Sequence, residues 1–140
     1  MRKFILKSSD ASEPLLSWAL LVLRLFSGLL MITHGLDKLQ NFDAYAQGFA
    51  DPIGLGPQLS LMLVIAAELF ASVFVMLGLL TRLSLIPLIF SMSVALFVVH
   101  SSDPLQVKEL AIVYLGIYVV LFLAGPGKIS ADRLLFKRMS

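Results

Sequence analysis

Residues 15–36 read LLSWALLVLRLFSGLLMITHGL, an apolar run broken by a single full charge, Arg24. Crossing a bilayer as a helix takes about 17–25 mostly apolar residues, and this run is long enough. Leu59 to Leu80 follows, interrupted by Glu68, and then Leu83 to Val99. The fourth run, Leu110 to Ala124, is shorter. Asp103-Pro104-Leu105-Gln106 ahead of it has an N-cap, a proline for the first helical position and a residue able to close a capping box. A helix from Pro104 to Ala124 is roughly 31 Å long. The expected fold is therefore all-α, an integral membrane bundle of four transmembrane helices at about 15–38, 59–80, 83–100 and 104–124, with a tail over 125–140, in one domain over 1–140.

Composition agrees. The chain is 59% hydrophobic and 14% charged, against about 45–50% and 25% in soluble domains, and its mean hydropathy is +0.93. A soluble fold of 140 residues would leave much of that apolar surface in water. A pI near 9.1 raises nucleic acid as a partner. The basic residues instead cluster at the edges of the spans, with no basic stripe or stacking platform; the expected partner is the lipid bilayer, not nucleic acid. The absence of cysteine excludes disulfides and thiolate metal sites. Arg2, Lys3 and Lys7 precede an apolar run too long for a signal-peptide core of about 7–15 residues, so a retained first helix is expected, with Ser12 as its cap and Pro14 in its first turn.

The loops orient the bundle. With four spans, Arg2, Lys3, Lys7, Arg82, Lys128, Arg133, Lys137 and Arg138 share one side, Lys38 and Lys108 the other, and Arg24 lies within a span. Positive residues concentrate in the cytoplasm, so both termini are expected there. The second and third spans, separated by about Thr81-Arg82, must be antiparallel neighbours. Ser84 could cap the third span, which would put Pro87 in its first turn; otherwise Pro87 would kink it. The long segment from about Gln40 to Gln58 holds Phe42, Tyr45 and Phe49 among polar residues and suits a short amphipathic piece at the outer surface. After Gly125-Pro126-Gly127, Ser130 and Asp132 could cap a short interfacial helix.

Charges inside spans are costly and usually face the bundle interior. Counted from the span starts, Arg24 and Glu68 reach similar depth, roughly 13 Å in. An ion pair between them is geometrically possible; the plain reading is a structural pair that fixes helix register, the functional one a proton or substrate site. Arg24, Gly28, Met31, Gly35 and Lys38 share one face of the first helix, with His34 at its edge. A second group, His34, Lys38, His100 and Glu109, could meet at the outer mouth, with Tyr114 further in; it could move protons or grip a polar head group. Ordinary interfacial residues at helix ends are the plainer reading. No pair of histidines or carboxylates has the i, i+4 spacing of a metal site, and none is expected.

This pattern resembles the DoxX family of small bacterial membrane proteins. The resemblance spans about Leu20 to Leu135 and rests on Arg24 with Gly28, His34-Gly35, Lys38, Glu68, Gly78-Leu79, Thr81-Arg82, Glu109, Tyr114, Gly125-Pro126-Gly127, Ser130 and Asp132. It departs at Ala71-Ser72, where the family often has paired glycines. The resemblance implies a four-helix protein of the bacterial cytoplasmic (inner) membrane, of a family sometimes linked to redox systems and with many members of no established activity. Related subunits belong to a thiosulfate–quinone oxidoreductase, and others are associated with oxidative-stress defence. A quinone or lipid-like ligand within the bundle, a redox enzyme subunit as partner and self-association all fit. With no cysteine and no paired-histidine haem pattern, electrons would come from that partner. A non-enzymatic scaffold and a small proton-coupled transporter remain the alternatives.

Overall fold

The computed structural model describes residues 13–136. Ser12, Arg2, Lys3, Lys7, Lys137 and Arg138, used above for capping and orientation, lie outside that range. Helix α1 spans Glu13–Gln40, α2 Phe42–Ala46, α3 Pro57–Leu77, α4 Thr81–Val99, α5 Leu105–Ala124 and α6 Ala131–Phe136. Helices α1, α3, α4 and α5 are each long and apolar enough to cross a membrane, as the hydropathy pattern predicts, and the described residues contain no strand. The four form a ring in which α1 packs on α3, α3 on α4, α4 on α5 and α5 back on α1. Glu13 and α6 lie at one end, the terminal end; α2 and the Ser101–Pro104 turn lie at the other, the loop end.

Burial follows the logic of a membrane protein. Trp18, Val22, Phe26, Phe70, Leu83 and Leu123 are exposed, while Arg24, Ser27, Glu68, Ser72 and Thr81 are buried. Large apolar side chains cost nothing in lipid, whereas polar groups must find partners inside the protein. Small residues let the helices approach. A side chain at Gly28 would run into Met76 and the Ser72 carbonyl, and one at Gly35 into Leu69 and Glu68.

These contacts fix the register of α1 against α3. Gly35 lies opposite Glu68, Gly28 opposite Ser72 and Met76, and Arg24 opposite Gly78. Helix α1 is thus displaced toward the terminal end, beyond the last turn of α3. The chain covers the overhang with its own tail. Lys128 donates its backbone N–H to Ser17 Oγ at 3.2 Å and its ammonium pairs with Glu13. Gly127, at φ +77°, packs on Leu20 and Ser17.

The α3–α4 turn is Gly78–Leu80, three residues earlier in sequence than expected, with Thr81 and Arg82 inside α4. Gly78, at φ +68°, ends α3 in a Schellman motif: Leu79 N–H bonds the Phe74 carbonyl at 2.9 Å and Gly78 N–H the Val75 carbonyl at 3.1 Å. Ser84 therefore does not cap α4, and Pro87 sits inside it. The cap comes from far along the chain. Asp132 accepts from the N–H groups of Leu80 (2.6 Å) and Thr81 (3.0 Å) and from the Thr81 hydroxyl (2.9 Å). A carboxylate there satisfies orphan donors and complements the helix dipole. Ser130 accepts from Arg133 N–H at 3.3 Å as α6 begins.

Helix α5 also starts differently from expectation. Pro104 is its cap residue, in extended conformation, and makes no side-chain cap bond. Asp103 turns instead to His100 Nδ1, at 2.7 Å. With Asp103 turned to His100 and Pro104 as the cap residue, the expected capping box does not form.

Candidate functional site

The Arg24–Glu68 ion pair that span geometry allows does not form. The two side chains are buried separately, Arg24 at 0% and Glu68 at 2% exposure. The displacement of α1 is the reason, because it carries Arg24 to Gly78. There its Nη2 donates to the Ile129 carbonyl at 2.5 Å. Its Nε and Nη1 have no hydrogen-bond partner in the protein, and Asp132 supplies an opposing charge. Arg24 belongs to the terminal end, holding the tail against α1 and the α3–α4 turn.

The partner of Glu68 is Lys38. The ammonium bonds both carboxylate oxygens, at 2.8 and 3.0 Å. The Lys38 side chain keeps 21% exposure, so the pair joins the loop-end surface to the interior. Glu68 lies within a π-helical turn of α3, Ala67–Ala71. Such turns change the facing of side chains across them and recur at functional sites. A second π turn, Ala95–Val99, closes α4.

Between these two turns lies a cavity of about 840 Å³. Its walls come from α1, α3, α4, α5 and the segment between α1 and α3. Most of the lining is apolar. The polar exceptions include His34, Lys38, Glu68 and Tyr114. His34 and Tyr114 meet edge to face with centroids 5.8 Å apart, and Tyr114 stacks on Tyr118 at 5.8 Å. Such aromatic contacts favour defined geometries, so α5 fixes the orientation of the His34 ring.

Four of the seven residues singled out from the sequence, His34, Lys38, Glu68 and Tyr114, therefore line one cavity together. His100 also lines it, bound to Asp103 at the loop end. Glu109 does not join them: it is exposed and takes no part in the lining. Tyr114 and Tyr118 lie on the inward face of α5, which places Glu109 on its outward side. Arg24 lies at the opposite end. Among the described residues no group of histidines and carboxylates could hold a metal ion.

The segment between α1 and α3 forms the loop-end cover. Helix α2 is the amphipathic piece expected there; Phe42 and Phe49 pack with Ala46, Leu61 and Ile65. Tyr45 donates to Asp37 at 2.8 Å, and that bond raises its pKa above the usual phenol value. Asp51 accepts from the N–H groups of Leu55 (2.9 Å) and Gly56 (2.8 Å) and from Ser60 Oγ (2.8 Å). These bonds, first the one from Gly56, hold its pKa below the usual carboxylate range.

Sequence reasoning missed Ser72 and Tyr118, whose hydroxyls are both buried inside the bundle. The signal was present: Ser72 lies one turn after Glu68, and Tyr118 one turn after Tyr114.

A family model described as DoxX matches residues 19–101, more than half of the chain. A Haemophilus influenzae protein described as uncharacterized is 31% identical over 127 residues, covering 85% of this chain and 84% of its own length. The inner membrane protein YphA of Escherichia coli is 28% identical over 134 residues, covering 88% of this chain and 92% of its own length. No solved structure matches the chain.

Proposed function

The chain belongs to the DoxX family, and from that premise we propose that it is an accessory membrane subunit of a quinone-linked redox system whose loop-end cavity binds a quinone. The carrying observation is the combination of volume and lining. A cavity of about 840 Å³ falls within the roughly 300–1,000 Å³ of small-ligand sites, which are mostly apolar with a few convergent polar groups. A quinone has this character, an apolar ring with two hydrogen-bond acceptors. His34 and Tyr114 would hold the acceptors, and Lys38–Glu68 would supply or take up the protons that accompany quinone reduction. Electrons would come from a partner subunit.

The relative named as an inner membrane protein supports the cytoplasmic (inner) membrane as the location. The positive-residue bias supports a cytoplasmic terminal end, which would turn the cavity outward. Residues 1–140 would form one DoxX-like domain. Reporter fusions at Arg82 are expected to read cytoplasm, and fusions at Asp51 the outer side.

The test is quinone binding by protein purified in native lipid. The wild type should retain quinone, and His34→Ala and Tyr114→Phe should each weaken binding. Wild type that binds no quinone, together with unaltered membrane quinone reduction in a deletion strain, would count decisively against the reading.

A further inference from the structure

We propose that the cavity is loaded sideways from the bilayer, through a gap between the loop-end halves of α3 and α4. Its ligand is then a tailed amphiphile, dissolved in the membrane, whose hydrocarbon chain lies in that gap. This rests on the reading of the cavity as a quinone site and adds the route and the tail.

The gap follows from how the helices pair. The Pro57–Ala66 half of α3 packs on α1 and α2, whereas the Ala95–Val99 end of α4 packs on the rest of α4 and on α5. The two helices close on each other lower down, where α4 meets the π turn of α3 and its last turns. Above that meeting point they part, and the cavity fills the space: Leu63 and Val64 line it from α3, Phe90 and Val94 from α4. Leu63 and Phe90 also have half of their surface exposed, so they form the rim as well as the wall.

The rim lies at hydrocarbon depth. Leu63 and Phe90 are about 9 and 14 Å along their helices from the loop end, inside a core about 30 Å thick. A solute passing between them comes from lipid. The polar residues sit across the cavity: His34 and Lys38 on α1, which stands opposite α4 in the ring, and Tyr114 on α5. A head group drawn to them leaves its tail pointing at the rim.

On the aqueous side the segment between α1 and α3 forms a cover over part of the cavity. Phe42 and Phe49 anchor the segment between α1 and α3 on Leu61 and Ile65. Tyr45–Asp37 and the three bonds to Asp51 tie both of its ends. These ties hold the segment over the polar end of the cavity, where a ligand arriving from water would enter.

The experiment uses the full chain in lipid nanodiscs and two probes, an isoprenoid quinone and the same quinone head group without a tail. Leu63→Trp and Val94→Trp fill the gap and should slow association of the tailed quinone about tenfold, the effect of roughly 1.4 kcal/mol on a barrier. Leu123→Trp, on an exposed face away from the cavity, should leave the rate unchanged. Phe49→Ala, which loosens the cover, should not raise it. A tailed quinone carrying a photoreactive group near the start of its tail should label wild type at the α3 and α4 rim, which needs no variant to fold. Unchanged rates in both gap variants with a faster rate in Phe49→Ala overturn the lateral route, as does labelling confined to the α1–α3 segment. Binding of the tail-free head group without the tailed quinone overturns the route while the cavity reading stands. Binding of neither probe overturns both.

Discussion

Removing the Lys38 ammonium exposes the energetics of the cavity wall. In wild type, both Glu68 oxygens are bonded to Lys38 Nζ, at 2.8 and 3.0 Å, and the carboxylate is 2% exposed. Lys38→Met leaves that carboxylate buried without its partner. Breaking a buried pair from one side costs about 3–5 kcal/mol in soluble proteins. Lys38 is 21% exposed, and water reaching down its path relieves part of the cost, so about 3 kcal/mol is expected. Near 3 °C per kcal/mol for a chain of this size, the midpoint of thermal unfolding should fall by roughly 9 °C. Glu68→Gln should cost less, about 1 kcal/mol, because the long Lys38 side chain can carry its charge to the interface. The double variant leaves no buried charge and should lose only about 2 kcal/mol, a coupling of about 2 kcal/mol. The assay is thermal unfolding in detergent, followed by far-ultraviolet circular dichroism. Coupling below about 0.5 kcal/mol, the level of independent sites, would refute the pairing.

Arg24→Met should destabilise the bundle through loss of the Ile129 contact, and its effect should add to that of Glu68→Gln within about 0.5 kcal/mol; strong coupling in the same unfolding assay would restore the direct ion pair. Gly78→Ala places a Cβ at φ +68° and 2.6 Å from the Ser130 Cβ, against the Arg24 guanidinium. Left-handed backbone and overpacking each cost about 1–2 kcal/mol or more, so a loss of roughly 3 kcal/mol is expected, with easier proteolysis after Gly125. For Asp51, the folded pKa is depressed. Its contribution is therefore present above the unfolded value of about 3.9 and is lost as pH falls below it through the folded pKa. Hydrogen exchange at Leu55 and Gly56 should accelerate in that acid range in wild type, and should be fast and pH-independent, after correction for intrinsic exchange, in Asp51→Ala.

The four spans were legible because hydropathy is a property of each segment alone. Span pairing was not, and Arg24 shows why. Apolar runs mark immersion in lipid, and counting from their ends aligns α1 and α3 flush. The real α1 continues through Asp37 and Lys38 to Gln40, and its first turns are covered by residues 127–129, a contact between segments more than 100 positions apart. Nothing in the hydropathy of residues 15–36 reports that cover. The better guide was steric: Gly28 and Gly35, seven apart, require a facing helix at close range, and Ser72 is the small residue in the second span that receives Gly28. Matching those positions gives the register and sends Lys38, not Arg24, toward Glu68. Glu109 failed for a related reason, since the facing of α5 is set by Tyr114 and Tyr118 packing inward.

The displacement of α1 also explains why the two ends of the bundle differ. At the terminal end α1 overhangs α3, and the tail fills the deficit with backbone bonds, the Lys128–Glu13 pair and the Asp132 cap, which leaves Arg24 at 0% exposure. At the loop end the same displacement leaves the first turns of α3 beyond α1. A short helix and a loop, much thinner than a fifth span, cover them, and the space beneath is the cavity. Sealing and opening are thus two consequences of one register. Gly28 and Gly35 hold that register without touching most of the cavity wall. Enlarging Gly28 should therefore disturb both ends at once, loosening the tail and reshaping the cavity, whereas changes at Arg24 or at Lys38 should each stay local.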